Sequence, residues 1–391
     1  MTRLITRLQT LLLAAAKRPL RRAPAAGPAR RVLVAHYLLL GDTLLLAPLL
    51  AKIAARYPEA ERFVLARPAV APLFAGQPYG FRALAYNPRD GASVHRLLGA
   101  GPFDLAFVLG DNRYSWLARA AGARWIVAFE NDSPAWKNWM VDEALPHPAR
   151  PTAWADMTAG LLAGQSPAAY SAGDWPAPAA ADFDAPPAPY AVLHVGASTT
   201  LKTWPAERWR ALAALLLEQG LTPVWSAGQG EAALIEAIDP EHRHRRYSGT
   251  LSLAQLWHLL AGARLLVCPD TGVAHLGKVV GVPTVTLFGP GSPTIYGAGE
   301  FWREARYVAV AQDPFPCRDQ QRLFRREIDW VRRCGRDQAA CVVASAAQAT
   351  VDAIAPCMHA IPLDAVWHAC RNFIPHSSRF PHNPSPQQAT L

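Results

Sequence analysis

The chain contains no uncharged apolar run of about 18 residues, so a membrane-spanning helix is not expected. It has six cysteines in 391 residues, none before Cys268, and no Cys-x-x-Cys pair. A disulfide framework is therefore not expected. Cys317, Cys334 and Cys341 lack the paired spacing of a zinc site and read as core or loop thiols. A secretory signal would need a longer uninterrupted apolar centre near the start, where Gln9 and Thr10 intervene. No nucleic-acid module is present, and aromatics are not interleaved with basic clusters. Charged residues are sparse at 18%, against 51% apolar. Most of the chain should therefore be globular.

The charge that is present leans one way. The formal net charge is +9 and the sequence pI about 9.5, which points to an anionic substrate or an acidic membrane surface. At residues 1–31, Leu4, Leu8, Leu11 and Leu12 stand at helical spacing among Arg3, Arg7, Lys17, Arg18, Arg21 and Arg22. This is open between a basic amphipathic helix lying on an anionic membrane and a disordered, dispensable extension, and an Ala/Pro/Gly/Arg linker follows at 23–31.

Short apolar runs then alternate with helical periods. Val32–Ala35, Arg62–Ala66, Phe103–Leu109 and Trp125–Phe129 read as strands of a first domain over 32–172. Residues 173–189 are Pro- and Ala-rich and read as an interdomain linker. Tyr190–Val195, Pro223–Ser226, Leu265–Val267 and Thr284–Phe288 read as strands of a second domain over 190–355. The alternation predicts α/β architecture with parallel, doubly wound sheets. After Phe315 the period is lost. A helix is expected near Ala346–Ile354, at the end of the second domain; a C-terminal extension over 356–391 is expected to hold another at Pro362–Phe373 and a disordered tail from His376.

The strongest local signal is CPDTGVAHLGKVVGVPTVTLFGP at 268–290. It has the form strand, polar turn, helix, strand. Asp270 or Thr271 can cap the helix, Gly281 ends it, and Pro283 prevents its continuation. Such a helix start after a parallel strand suits an anion. On spacing alone, a ligand site and a plain helix cap are both open.

Three stretches in order carry a resemblance: LGDTLLLAP, then HVGASTTLKTWPAERW, then SLAQLWHLLAGARLLVCPDTGVAHLGKVVGVPTVTLFGP. Together they resemble the family 9 glycosyltransferases, the lipopolysaccharide heptosyltransferases, over roughly residues 32–355. The resemblance implies the GT-B fold, two Rossmann-like domains facing a cleft. It also implies inverting, metal-independent transfer from ADP-heptose with no cofactor. By position, Asp42 matches the general base and Lys202 the cation that meets the leaving diphosphate. Ser198, Thr199, Thr200, Leu251, Ser252, Asp270, Thr271, Gly272 and His275 fall in the donor pocket, with His275 open to a purely structural role. Asn112, Arg113 and Ser115 fall where the family faces its acceptor. Trp204 is open between packing and ligand contact.

The acceptor implied is anionic lipopolysaccharide or Kdo-lipid A, and the place is the cytoplasmic face of the inner membrane. His36-Tyr37 and the apolar Leu38–Leu40 depart from the family's usual turn. An enzyme of the same fold with another nucleotide sugar or a capsule, glycolipid or protein acceptor is the alternative. A non-catalytic nucleotide-binding protein is a further one.

Overall fold

A computed structural model describes residues 3–20, 28–337, 339–341 and 354–374. The helix expected at Ala346–Ile354 falls, but for Ile354, outside these residues, as do the tail from His376 and part of the linker at 23–31. Among the described residues no helix is long and apolar enough to cross a membrane.

Two six-stranded parallel sheets carry the architecture. The first contains β1 (Arg31–Ala35), β2 (Glu61–Ala66), β3 (Phe81–Ala85), β4 (Leu105–Val108), β5 (Trp125–Phe129) and β6 (Glu143–Leu145). Their spatial order is β3-β2-β1-β4-β5-β6, parallel throughout. The second contains β7 (Tyr190–His194), β8 (Thr222–Ala227), β9 (Arg246–Ser248), β10 (Leu265–Pro269), β11 (Thr284–Phe288) and β12 (Tyr307–Ala311). Its order is β12-β11-β10-β7-β8-β9. Counted within each half, both orders are the Rossmann sequence 3-2-1-4-5-6. The strands are short apolar runs because both faces of such a sheet are covered by helices. In each half, ligand loops belong at the switch point between the first and fourth strands.

The helices up to and including the one that follows β10 are α1 (Arg3–Lys17), α2 (Leu40–Leu44), α3 (Ala47–Arg56), α4 (Gly91–Ala100), α5 (Tyr114–Ala120), α6 (Trp154–Ala159), α7 (Ala206–Glu218), α8 (Ala232–Ile238), α9 (Leu253–Ala261) and α10 (Gly272–Val280). Pro48 stands at the start of α3, where its missing N–H leaves no helical bond unmade. On the second sheet, Trp209, Leu212 and Leu216 of α7 pack against Leu193 and Trp225. Each such side chain contributes roughly 1.5–3 kcal/mol by leaving water. Trp204 is a packing residue. It is buried, and its indole N–H donates to Ile361 O at 3.0 Å. That bond fastens the C-terminal segment with its helix Leu363–Arg371 to the second sheet.

Residues 173–189 do not hang free. The Trp175 indole donates to Leu73 O at 2.8 Å, and Arg245 Nη1 donates to Asp184 O at 2.7 Å. The aperiodic stretch after Phe315 has an architectural role that its sequence does not announce. It leaves the second sheet, anchored by Arg318 to Phe288 O and Gly289 O at 2.8 and 2.9 Å. It then crosses to the first half through a tight hairpin, Arg322–Leu323 against Arg326–Glu327. Phe324 packs on Trp154 with ring centroids 4.5 Å apart. Arg326 donates to Gly110 O at 3.0 Å, Glu130 O at 2.8 Å and Asn112 Oδ1 at 2.8 Å.

Candidate functional site

A cleft of about 810 Å³ runs between the two sheets' carboxyl edges. The first half contributes only the turn Leu39–Asp42 to its walls; the second half contributes the segments after β7, β8, β9, β10 and β11, and the crossing segment adds Arg333–Arg336.

The β10 loop is built as its sequence suggests. Thr271 is the helix cap: its Oγ1 accepts from Val273 N at 3.3 Å. Gly281 takes a left-handed φ of 84° at the far end, which a β-carbon would strain. The amide end of α10 therefore opens on the cleft beside Asp270, Thr271 and Gly272.

Asp42 lies in the first turn of α2, directly opposite. His36 holds the approach: its Nδ1 accepts from Leu38 N at 3.1 Å, and burial pushes its ring down to about 3, so it is neutral. Arg67 lies 4.1 Å over the Tyr37 ring and donates to Leu38 O at 2.9 Å. The unusual His36-Tyr37 pair is thus a brace for the turn.

The two loops meet backbone to backbone. A β-carbon on Gly41 would lie 2.6 Å from His275 Cδ2 and 3.2 Å from Gly272 Cα. One on Gly272 would lie 3.0 Å from Leu40 Cβ. These glycines are present because there is no room for a side chain where the halves touch. That contact sets two carboxylates, Asp42 and Asp270, across one cleft. Burial and then the Asp270 charge raise the Asp42 carboxyl to about 6, while Lys202 and Arg333 oppose the rise. Lys202 is fixed from the short helix Thr200–Lys202: its Nζ lies 3.0 Å from Asp270 Oδ2 and also donates to Asp270 O.

His275 is buried, and burial followed by Lys278 and Lys202 pushes its ring well down. It packs on Gly41 as a neutral ring. Ser198, Thr199 and Leu251 line the cleft; Thr200 and Ser252 are outside the lining. Ser252 instead caps α9, accepting from Gln255 N at 3.2 Å.

The acceptor-side expectation needs correction. Asn112 and Ser115 do not line the cleft. Asn112 is buried and donates to Phe129 O and Asn138 Oδ1, both at 2.7 Å, while accepting from Arg326. Ser115 is fully buried against Lys137 O at 3.2 Å. Lys137 in turn pairs with Asp132 at 3.1 Å and Asp111 at 3.2 Å. These side chains form a buried polar network. Arg113 is on the surface and paired with Asp111.

Two residues missed from sequence enter the cleft: Arg333 and Tyr296. Arg333 comes from the aperiodic crossing segment, and its charge bears on both Asp42 and Tyr296. Only the density of arginine over 318–336 hinted at it. Glu231 also lines the cleft and holds two loops together, accepting from Ala197 N at 3.0 Å and Gly228 N at 2.6 Å. The chain's one Asp-x-Asp triplet, Asp182–Asp184, is not in the cleft; Asp184 pairs with Arg245 at 2.7 Å. Among the described residues no group of three or more His, Cys, Asp or Glu is placed to hold a metal.

Comparison with known proteins agrees with this architecture. Lipopolysaccharide heptosyltransferase 1 of Pseudomonas aeruginosa is 41% identical over 121 residues, which are 30% of this chain and 33% of that protein. The chain thus spans about a third of the length of the curated relatives it matches. The solved structure of Escherichia coli ADP-heptose lps heptosyltransferase II superposes with a TM-score of 0.63 at 16% identity, over 88% of this chain and 98% of that one. TibC of enterotoxigenic E. coli, described as an iron-containing dodecameric glycosyltransferase, shares the fold with a TM-score of 0.51 at 15% identity, over 88% of this chain and 78% of that one. Both likenesses establish the two-domain GT-B arrangement. The sequence model of glycosyltransferase family 9 (heptosyltransferase) matches residues 92–326, more than half of the chain, and the chain belongs to that family.

Proposed function

We propose that the chain is an inverting glycosyltransferase that moves heptose from ADP-heptose to the inner core of lipopolysaccharide. The observation that carries this reading is the Asp42 carboxyl, raised to about 6 and facing Lys202 and the amide end of α10 across the cleft. The donor lies on the second half, its diphosphate at Ser198, Thr199 and the Asp270-Thr271-Gly272 turn. Asp42 takes the proton of the acceptor hydroxyl as that oxygen attacks the anomeric carbon. The bond from that carbon to the diphosphate breaks on the opposite face, and ADP leaves with the electron pair. A base with its pKa near the working pH is mostly ionised yet still strong enough to accept the proton. The Lys202 ammonium exchanges its contact with Asp270 for the charge growing on the departing phosphate.

Arg333 extends this reading. A guanidinium near the base suits a carboxylate or phosphate on the acceptor, and it replaces the Asn112, Arg113 and Ser115 group in that role. The domains at 32–172 and 190–355 act as acceptor and donor halves, with the crossing segment serving both. The donor phosphates need no metal, because Lys202 and α10 supply the positive charge. Transfer should survive EDTA; loss of activity restored by iron or another divalent metal would overturn that point. The acceptor is lipid-anchored and anionic, which places the enzyme at the cytoplasmic face of the inner membrane.

The test is a transfer assay with ADP-heptose and a set of truncated lipopolysaccharide cores. Release of ADP coupled to growth of one core is expected. Failure to release ADP from ADP-heptose with any core, beside intact ADP binding, would leave a non-catalytic nucleotide-binding protein as the better reading.

A further inference from the structure

Helix α1 is amphipathic, but it docks the wrong way round for a core helix. At 3.6 residues per turn, Gln9, Thr10, Leu13, Ala14 and Lys17 share one side, and this side is the half-buried to buried one. Lys17 Nζ donates to Ala120 O at 2.7 Å, fixing the helix to the end of α5. The opposite side carries Leu8, Leu11 and Leu12, which are 57%, 43% and 63% exposed. An ordinary surface helix turns its leucines inward.

The exposed leucines are not isolated. Seven large apolar side chains of the described residues are exposed, and five belong to this region: the three leucines with Trp136 and Trp139, at 41% and 59%. Trp116 lies between the inner side of α1 and the two tryptophans. It packs in one cluster with Leu13 and Ala14 and lies 6.5 Å from the Trp136 ring and 6.3 Å from the Trp139 ring. Such a concentration marks an interaction surface. Its rim is basic: Arg7 and Arg18 are exposed, and residues 1–31 contain no acidic residue.

We propose that the outer face of α1, together with Trp136 and Trp139, is a docking surface for an anionic lipid bilayer. The helix has 15 residues, too few to span, and the length suits a helix lying in the interface plane. Leucines enter the acyl boundary, tryptophans sit at the headgroup level, and the arginines meet anionic lipid. A second copy of the chain is the competing occupant. A two-fold contact through α1 would bring its own cations together, and residues 1–31 supply no acid to offset them, which charge complementarity disfavours. The orientation also suits the reaction. The Arg7 charge bears on the Tyr86 phenol, and Tyr86 packs edge-on at 5.7 Å with Tyr37, in the loop that leads from β1 to Asp42. The helix therefore begins beside the first sheet's carboxyl edge, so docking would hold the cleft mouth near the membrane plane. This inference rests on the lipid-anchored acceptor proposed above.

The experiment uses the full chain in sedimentation with phosphatidylcholine vesicles, alone or mixed with phosphatidylglycerol. Wild type is expected to bind the mixed vesicles and to be released by high salt. The variant Leu8→Gln/Leu12→Gln, which alters outward-facing side chains only, should bind at least about ten-fold less. Leu217→Gln, an exposed leucine elsewhere, should bind as wild type. Equal vesicle binding by the double variant, or no preference of wild type for anionic vesicles, would overturn the proposal. So would a wild-type dimer that Leu8→Gln/Leu12→Gln converts to monomer, which would assign the face to a second copy. Sedimentation needs no sugar acceptor, so its result is independent of whether transfer is found. Where transfer is found, the double variant should lose activity on vesicle-borne acceptor and keep it on a delipidated core.

Discussion

The two halves share a strand order but not a use of their loops. In the second half, the loops after β7, β8 and β10 all open on the cleft. In the first, only the turn after β1 does so, because the loop after β4 is sealed by Arg326, Asp132 and Lys137. On the reading proposed above, one Rossmann half cradles the donor and the other mounts a single carboxylate. The difference teaches that fold symmetry does not carry functional symmetry, and that a crossing segment can decide which loops stay open.

The comparison breaks most visibly at Arg326. Its guanidinium is buried beside Asp132 at 3.6 Å. Arg326→Ala leaves Asp132 with Lys137 alone as its cation and takes the donor from Gly110 O, Glu130 O and Asn112 Oδ1, and should cost about 3–5 kcal/mol in urea unfolding. A change under about 1 kcal/mol would mean the seal is not held by this residue.

Gly41→Ala comes next. The added carbon would meet a buried ring and a backbone atom, neither free to move, at about 1–3 kcal/mol. The donor half does not depend on this contact for its own loops. ADP affinity by calorimetry should therefore hold while transfer falls; equal loss of both would show that the halves do not act separately.

Smaller effects sharpen the electrostatic side. Asp42 must be ionised to act, so kcat/KM should decline as pH falls through about 6. Asp270 raises Asp42, so Asp270→Asn should move this acidic limb to lower pH in whatever activity remains. Arg333 lowers Asp42, so Arg333→Gln should move it to higher pH. A limb that stays in place in both variants would remove these charges from the base's surroundings.

Legibility in the sequence followed the same division. The β10 turn could be read because its signals are local: Thr271 caps, Gly281 ends, Pro283 stops. The strands β1, β2, β5 and β11 were readable as short apolar runs for the same reason. Strands β3, β9 and β12 lie at or near sheet edges, half exposed and without alternation, and they gave no comparable signal. Asn112 falls where the family faces its acceptor, but its partner Arg326 lies 214 residues away and takes it out of the cleft. Arg333 reaches the cleft through a segment with no period at all. The amphipathic period of α1 was plain, whereas which face would meet the protein was not, since that depends on α5 and Trp116.

The central claim is that Asp42 on one half is the base for a donor held by the other. The most direct measurement is the pH profile of heptosyl transfer for wild type and Asp42→Asn, with ADP affinity measured on both proteins. The account predicts an acidic limb near pH 6 in wild type. In Asp42→Asn it predicts ADP affinity retained, kcat lower by about 10²–10⁴, and no limb near pH 6. An Asp42→Asn enzyme with wild-type turnover, or with the limb unmoved, would contradict it.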